Sequence, residues 1–152
     1  MLFRSPGACV CSDNARQRYL RRLSGPLLDR FDIRVAVAAT SPLDLLDDTP
    51  AESTEVIRDR VLRARRISHL RQGKPNALLG AGELDEHAPL DDDAKAVLRT
   101  ELESGRLTGR GFHRVRRVAR TLADLTGDRE HVVAADHVVE AIALRARVGA
   151  QR

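Results

Sequence analysis

The stretch LTGRGFHRVRRVARTLADLTG, residues 107–127, carries the strongest helical pattern in this sequence of 152 residues. At about 100° per residue, its apolar side chains gather on one arc of a helix from Gly109 to Thr126. The members of that arc are Phe112, Val115, Val118, Ala119, Leu122 and Leu125. The opposite side carries Arg110, His113, Arg117 and Arg120. Gly127 is expected to end the helix, which is long enough to pack in a helical bundle.

The composition also favours packed helices. Apolar residues make up 42% of the chain, but aromatic residues only 3%, so the core must consist of Leu, Val, Ile and Ala. Further helices are predicted at about residues 12–23, 53–72, 91–104 and 134–148. For the second of these, a buried stripe of Ile57, Val61, Ala64 and Ser68 is expected.

One segment has the pattern of a strand. Residues 31–38, FDIRVAVA, alternate between apolar and other side chains, whereas Leu27–Arg30 before them fit a helical turn or tight corner. A lone strand cannot form a sheet, so the strand either dimerises or belongs to a sheet whose other strands this sequence lacks. Residues 39–52, ATSPLDLLDDTPAE, contain two prolines and four acidic residues, and we interpret them as a linker.

Charge and cysteine content narrow the function classes only modestly. The formal net charge is +4, and residues 1–76 carry 14 basic and 9 acidic side chains, which would suit a phosphate-rich partner. However, 24 of the 26 basic residues are arginine, a bias that coding from a GC-rich genome would also produce. Two cysteines and no long apolar run favour a cytoplasmic protein that does not enter a membrane.

The stretch LSGPLLDRFDIRV, residues 23–35, places Arg30 between Asp29 and Asp32. Arg30 could form a surface ion pair with these aspartates, or its guanidinium could be held towards an anion that the chain itself does not contain. The residues alone leave both interpretations open.

Several blocks resemble the C-terminal third of the magnesium-chelatase-like AAA+ ATPases of the ComM/YifB type. The most specific is SGPLLDRFD, residues 24–32, followed by FHRVRRVARTLADL, residues 112–125. Residues 57–79 and 83–94 are similar as well. The resemblance implies a mainly α fold, in which a helical AAA+ lid bundle follows a helix and one edge strand of an incomplete α/β core. The expected domains are residues 1–38 for the end of the core, 39–52 for the linker and 53–152 for the lid.

Such ATPases form hexameric rings that bind ATP and Mg²⁺ between subunits, and the family is associated with DNA processing, including branch migration during natural transformation. By resemblance, Arg30 matches the arginine finger, a catalytic residue that reaches the nucleotide of the neighbouring subunit. Arg110 matches the sensor-2 arginine, which contacts the ATP of its own subunit. The glycines on either side of Arg110 would let a phosphate approach closely.

The sequence lacks two parts that ATP hydrolysis requires. It has no Gly-x-x-x-x-Gly-Lys-Ser/Thr loop for phosphates and no acidic pair after a hydrophobic strand for Mg²⁺. We therefore expect no ATPase activity, negligible Mg-ATP affinity and no cofactor for the isolated chain. The chain would instead be a fragment that lends Arg30 and Arg110 to an intact assembly.

Other candidate sites have weaker support. Arg114, Arg117 and Arg120, with Arg116, would line a DNA path if the outer face of the helix bound phosphates. Cys9 and Cys11 resemble half of a cysteine-rich insert in family members, but two thiolates do not make a zinc site, so no metal site is predicted.

Two alternative functions remain open. The chain could be a stand-alone basic helical module that binds nucleic acid, or a non-catalytic subunit that joins a full-length ATPase and lends it Arg30.

Overall fold

The computed structural model describes residues 12–20, 25–35, 37, 40–42, 46, 50–127 and 131–145. Two compact units are present. The first comprises Met1–Phe31 and Ala36–Thr49, and the second comprises Asp32–Val35 and Pro50–Arg152.

The described part of the first unit contains two short helices, α1 (Asp13–Leu20) and α2 (Gly25–Leu28). The helical turn or corner predicted for Leu27–Arg30 is confirmed, because α2 runs into a turn at Asp29 and Arg30. In that turn the N–H of Arg30 donates to the carbonyl of Leu27 at 3.0 Å.

The second unit is a helical bundle. Its helices are α3 (Thr54–Gln72), α4 (Leu84–His87), α5 (Asp92–Glu103), α6 (Gly109–Thr126) and α7 (Ala135–Ala143), with a 3₁₀ turn at Asn76–Leu78. The predicted mainly helical fold is confirmed. The last helix ends at Ala143, earlier than predicted, and residues 146–148 lie outside the described residues. The 3₁₀ turn and α4 lie between the helices predicted at 53–72 and 91–104, and each is too short to show a helical period.

Local signals in the sequence fix the ends of the long helices. The hydroxyl of Ser53 caps α3 by accepting from the N–H of Val56, and Asp91 caps α5 in the same way through the N–H of Ala94. Gly73 ends α3 at a φ of 71°, a left-handed conformation that glycine adopts without the cost of a Cβ clash. These caps explain why the predicted starts and ends of α3 and α5 lie close to the observed ones.

Aliphatic side chains from α4–α7 and the loops between them form the core. Its fully buried members include Leu84, Leu98, Val115, Val133 and Val138. The stripe predicted for α3 is only half right: Ala64 and Ser68 are buried, whereas Ile57 and Val61 are 42% and 38% exposed. Only the C-terminal half of α3 therefore packs into the core.

The predicted strand over Phe31–Ala38 does not form a β-ladder in the residues that the structure describes there, Phe31–Val35 and Val37. Its alternate apolar side chains are exposed, from 48% at Phe31 to 89% at Val37. A ladder requires a neighbouring backbone along the whole strand, whereas here the N–H of Arg34 donates to the carbonyl of Leu144 at 2.8 Å. The apolar alternation was detected correctly, but alternation alone does not provide a partner strand.

No helix within the described ranges is both long enough and apolar enough to span a membrane.

Candidate functional site

The start of α6 presents Arg110 at a capped helix N-terminus. Thr108 has an extended backbone, and its Oγ1 accepts from the N–H of Gly111 at 3.0 Å. Its carbonyl accepts from the N–H of Phe112 at 2.8 Å. The N–H of Phe112 donates the first helical hydrogen bond, so the N–H groups of Gly109 and Arg110 before it have no partner within the helix. Such donors, at the positive end of the helix dipole, favour an anion.

The guanidinium of Arg110 lies in solvent. The residue is exposed, and its side chain forms no hydrogen bond or ion pair within the described part of the chain. The predicted position of Arg110, at the helix start and away from the core, is therefore confirmed. A phosphate oxygen could reach both this guanidinium and the free backbone donors beside it.

The two glycines beside Arg110 have different roles. A Cβ at Gly109 would meet no atom within 4 Å, so the backbone there is open to an approaching group. A Cβ at Gly111 would lie 2.9 Å from Cδ1 of Leu107 and 3.2 Å from Oγ1 of Thr108. Gly111 is therefore closely packed against the preceding loop, whereas Gly109 leaves open space beside Arg110.

Arg30 follows α2 at an exposed corner. The N–H of Phe31 closes the turn by donating to the carbonyl of Leu28 at 3.1 Å. Asp32, one of the two aspartates that flank Arg30, binds Nη1 of Arg114 at 2.6 Å. The carboxylate of Asp32 is thus already engaged by another arginine.

The predicted DNA-contacting arginines of α6 are mostly used inside the bundle. Arg114 pairs with Asp32, and Nε of Arg117 donates to the carbonyl of Leu79 at 2.8 Å. Arg116 is 5% exposed and Arg120 is fully buried, so their predicted positions on the outer face were wrong. Helical periodicity placed both away from the apolar arc, but neighbouring segments cover that side of α6 as well. DNA contact by Arg114 and Arg117 stays a prediction.

The side chain of Arg116 on α6 binds α4 and the residue that follows it. Its Nη2 donates to the carbonyls of Leu84 and Ala88 at 2.7 and 3.0 Å, and its Nη1 pairs with Asp85 at 2.7 Å. The guanidinium also lies 5.4 Å from the ring centroid of Phe112, within the range of a cation–π contact. The role of Arg116 is structural, because its charge is satisfied by carbonyls at the end of a short helix.

A buried polar network occupies the C-terminal end of α6, and the sequence analysis did not predict it. Asp124 is 2% exposed and accepts two hydrogen bonds from Arg71, at 2.7 and 2.8 Å, and one from Asn76 at 2.7 Å. Arg120 contacts the same carboxylate at 3.1 Å and donates from Nη1 to the carbonyl of His131 at 2.9 Å. One carboxylate thus pairs with two guanidinium groups.

The pKa of the Asp124 carboxyl reflects this arrangement. Burial alone would raise it, but hydrogen bonds from Arg71 and Asn76, with the positive charges of Arg120 and Arg71, outweigh burial and hold it below its ordinary value. The i, i+4 spacing of Arg120 and Asp124 was the one signal that could have revealed the pair. The contribution of Arg71, 53 residues away in the sequence, was not predictable.

Within the described residues, no three His, Cys, Asp or Glu side chains are grouped so as to hold a metal ion. Cys9 and Cys11 lie outside the described residues.

Comparison with known families identifies the class of protein. Residues 51–145 match the C-terminal domain of magnesium chelatase subunit ChlI, and residues 2–45 match the magnesium chelatase subunit ChlI domain. The first match alone covers more than half of the chain. The chain therefore belongs to the magnesium-chelatase-like family.

Individual relatives place it with the ComM/YifB type within that family. The chain is 38% identical over 133 residues to competence protein ComM of Haemophilus influenzae, and 36% identical over 138 residues to the uncharacterized protein YifB of Escherichia coli. It is also 36% identical over 156 residues to the uncharacterized protein Rv2897c of Mycobacterium tuberculosis. These alignments cover 86%, 90% and 97% of this chain, but only 26%, 27% and 29% of the relatives.

Proposed function

We propose that this chain supplies two arginine contacts to the ATP sites of a ring-shaped AAA+ motor. Arg110 contacts the phosphates of the nucleotide bound by its own subunit, and Arg30 is the arginine finger that reaches the nucleotide of the neighbouring subunit. The phosphate-binding loop and the Mg²⁺ ligands come from sequence that this chain does not contain. Its membership of the magnesium-chelatase-like family suggests ATP and Mg²⁺ as the cofactors of the intact assembly.

The observation that carries the proposal is the start of α6. A guanidinium without a partner in the described residues stands beside the open backbone at Gly109 and the free N–H groups of the first turn. A guanidinium stays charged at any working pH, and its planar donors match phosphate oxygens. No described residue pairs with this charge, whereas Arg116 and Arg120 on the same helix bind carbonyl and carboxylate oxygens.

The position of Arg30 suits contact with a second subunit. It follows a helical turn closed by two backbone hydrogen bonds, so the corner sets the direction in which the side chain leaves the backbone. An arginine supplied across an interface neutralises charge that develops on the transferred phosphoryl group. Such fingers accelerate hydrolysis by about 10³–10⁵-fold.

The isolated chain is expected to bind Mg-ATP negligibly and to hydrolyse none, because one exposed arginine does not replace a phosphate-binding loop. Isothermal titration of the purified chain with Mg-ATP tests this expectation. A saturable isotherm in the micromolar range would overturn it.

Mixing variant subunits in one ring distinguishes an arginine that contacts the nucleotide of the neighbouring subunit from one that contacts the nucleotide of its own subunit. The test uses the longest polypeptide that carries this sequence in its native cells, which immunoblotting identifies first. Rings of an Arg30→Ala form and rings of a form with an inactivated phosphate-binding loop should both lack ATPase activity. Mixed rings should recover activity, because the intact finger of one subunit faces the intact loop of the next.

Mixed rings of Arg110→Ala subunits and loop-inactivated subunits should not recover ATPase activity, because no site then has both a functional loop and Arg110. Arg99→Ala is the matched control, since Arg99 is an exposed arginine on α5 with no partner in the described residues. Recovery by Arg110→Ala, or failure of Arg30→Ala to recover, would contradict the assigned roles.

We also propose that the intact motor processes DNA, as expected for the ComM/YifB type, with Arg114 and Arg117 as candidate contacts. The alternative of a stand-alone nucleic-acid-binding module is supported only by the basic composition of residues 1–76. That alternative predicts DNA affinity in the isolated chain that falls log-linearly with salt concentration. Fluorescence anisotropy with a labelled duplex at several salt concentrations distinguishes the two, because the motor proposal predicts little affinity.

A further inference from the structure

A cavity of about 760 Å³ opens between the C-terminal half of α3 and the C-terminal end of α6. Its lining includes Arg63, Arg66, Ile67, Leu70, Leu125 and His131, above the network of Arg71, Arg120 and Asp124. Asp124 follows Arg110 by 14 positions on α6, which corresponds to about 20 Å along the helix axis. The cavity therefore lies at the opposite end of α6 from the proposed nucleotide contact.

The lining has an excess of positive charge. Four arginines face one carboxylate, Asp124, whose two oxygens are already occupied by Arg71, Asn76 and Arg120. These hydrogen bonds also hold the guanidinium groups of Arg71 and Arg120 in fixed positions. The base of the cavity is thus a preorganised basic surface, and the described residues of its lining include no second acid to balance it.

Two of these four arginines lie at the rim of the cavity, next to an apolar patch. Arg63 and Arg66 lie one turn apart on α3, are exposed, and form no hydrogen bond or ion pair with any described residue. Ile67 and Leu70 continue the same face of the helix, and Leu70 is 81% exposed. The rim thus places exposed apolar surface beside two arginines that have no acidic partner among the described residues.

We propose that this cavity binds an acidic peptide segment of a partner protein, with an aliphatic residue between its carboxylates. The carboxylates would pair with Arg63 and Arg66, and the aliphatic side chain would cover Ile67 and Leu70. Charge complementarity favours an acidic partner. A single-stranded nucleic acid fits less well, because its bases stack on aromatic side chains and the described lining contains no Phe, Tyr or Trp.

The test uses the purified full chain and a short fluorescein-labelled synthetic peptide rich in aspartate and leucine. Fluorescence anisotropy measures the Kd for the wild type and for Arg63→Gln/Arg66→Gln. The matched control is Arg58→Gln/Arg65→Gln, which removes the same charge from exposed positions of α3 outside the cavity. Glutamine retains a helix propensity close to that of arginine, so neither pair should disturb α3.

We expect the cavity pair to weaken peptide binding about tenfold, and the control pair less than about twofold. Leu70→Asn should also weaken binding, and a peptide with asparagine in place of aspartate should not bind. Equal losses in both pairs, or no saturable binding to the wild type, would overturn the proposal. Tighter binding of a single-stranded oligonucleotide that depends on the cavity pair would also overturn it. None of these outcomes depends on ATP, so the result is independent of the proposed motor function.

Discussion

The two ends of α6 carry the same kind of side chain in opposite environments. Arg110, at the start, is exposed and has no partner within the described residues. Arg120, near the end, is fully buried and divides its donors between Asp124 and the carbonyl of His131. The contrast shows that the position of an arginine on a helix does not decide its role. The acceptors around it do, and most of them come from other parts of the chain.

The largest expected effect follows from removing the carboxylate at the buried end. Asp124→Asn leaves the guanidinium groups of Arg71 and Arg120 without their counter-charge in a largely buried site. Breaking a buried ion pair in this way costs about 3–5 kcal/mol in the free energy of unfolding. Urea denaturation followed by circular dichroism measures the loss.

Asp92→Asn is the matched control for that variant. Asp92 also pairs with a cation, Lys95, but its side chain is 97% exposed. The free energy of unfolding should change by less than about 1 kcal/mol. If Asp124→Asn proved as mild as Asp92→Asn, the buried network would not stabilise the bundle, and the contrast between the two ends of α6 would fail.

Acidification should reduce the difference in the free energy of unfolding between the wild type and Asp124→Asn. The pKa of Asp124 is lower in the folded than in the unfolded protein, so its ionic contribution is complete above the unfolded pKa of about 3.9. That contribution is lost as the pH falls through the folded pKa. The difference in stability between the two proteins should be constant above about pH 5 and shrink below about pH 4. A difference that grew on acidification would contradict the assigned direction of the pKa shift.

The sequence predicted the helices better than their surroundings. Caps such as Ser53 and Asp91 and the glycine at the end of α3 are local signals, so the bounds of α3 and α5 could be predicted within one or two residues. The burial of Arg120 could not, because it depends on Arg71 and on the carbonyl of His131. Periodicity treats every arginine as polar and outward, whereas a guanidinium with enough acceptors can be buried.

The same limit applies to the predicted site. Arg110 could be placed correctly because Thr108 and the helical period locate it at the start of α6 without reference to other segments. The contact of Arg114 could not be predicted from local pattern, since its partner Asp32 lies 82 positions away. Predictions from local pattern were therefore reliable for where a residue sits on its helix, and unreliable for what it contacts.

A smaller effect tests the two glycines at the exposed end. Gly111→Ala would place a Cβ 2.9 Å from Cδ1 of the buried Leu107, so the side chain of Leu107 must shift. A loss of about 1 kcal/mol is expected, since the better helix propensity of alanine offsets part of the overpacking. Gly109→Ala is the matched comparison, because its Cβ would meet nothing within 4 Å. Thermal denaturation should show a lower Tm for Gly111→Ala alone, and equal values would mean that the packing around Gly111 adjusts freely.

The smallest effect on stability is expected for Arg110→Ala. The side chain forms no hydrogen bond or ion pair with the described residues, and a cation at the positive end of a helix dipole opposes the fold slightly. The variant should therefore be unchanged or up to about 0.5 kcal/mol more stable in urea denaturation. Stability lost by more than about 1 kcal/mol would instead assign Arg110 a structural contact. Unchanged stability would leave the guanidinium of Arg110 available for the proposed contact with a nucleotide.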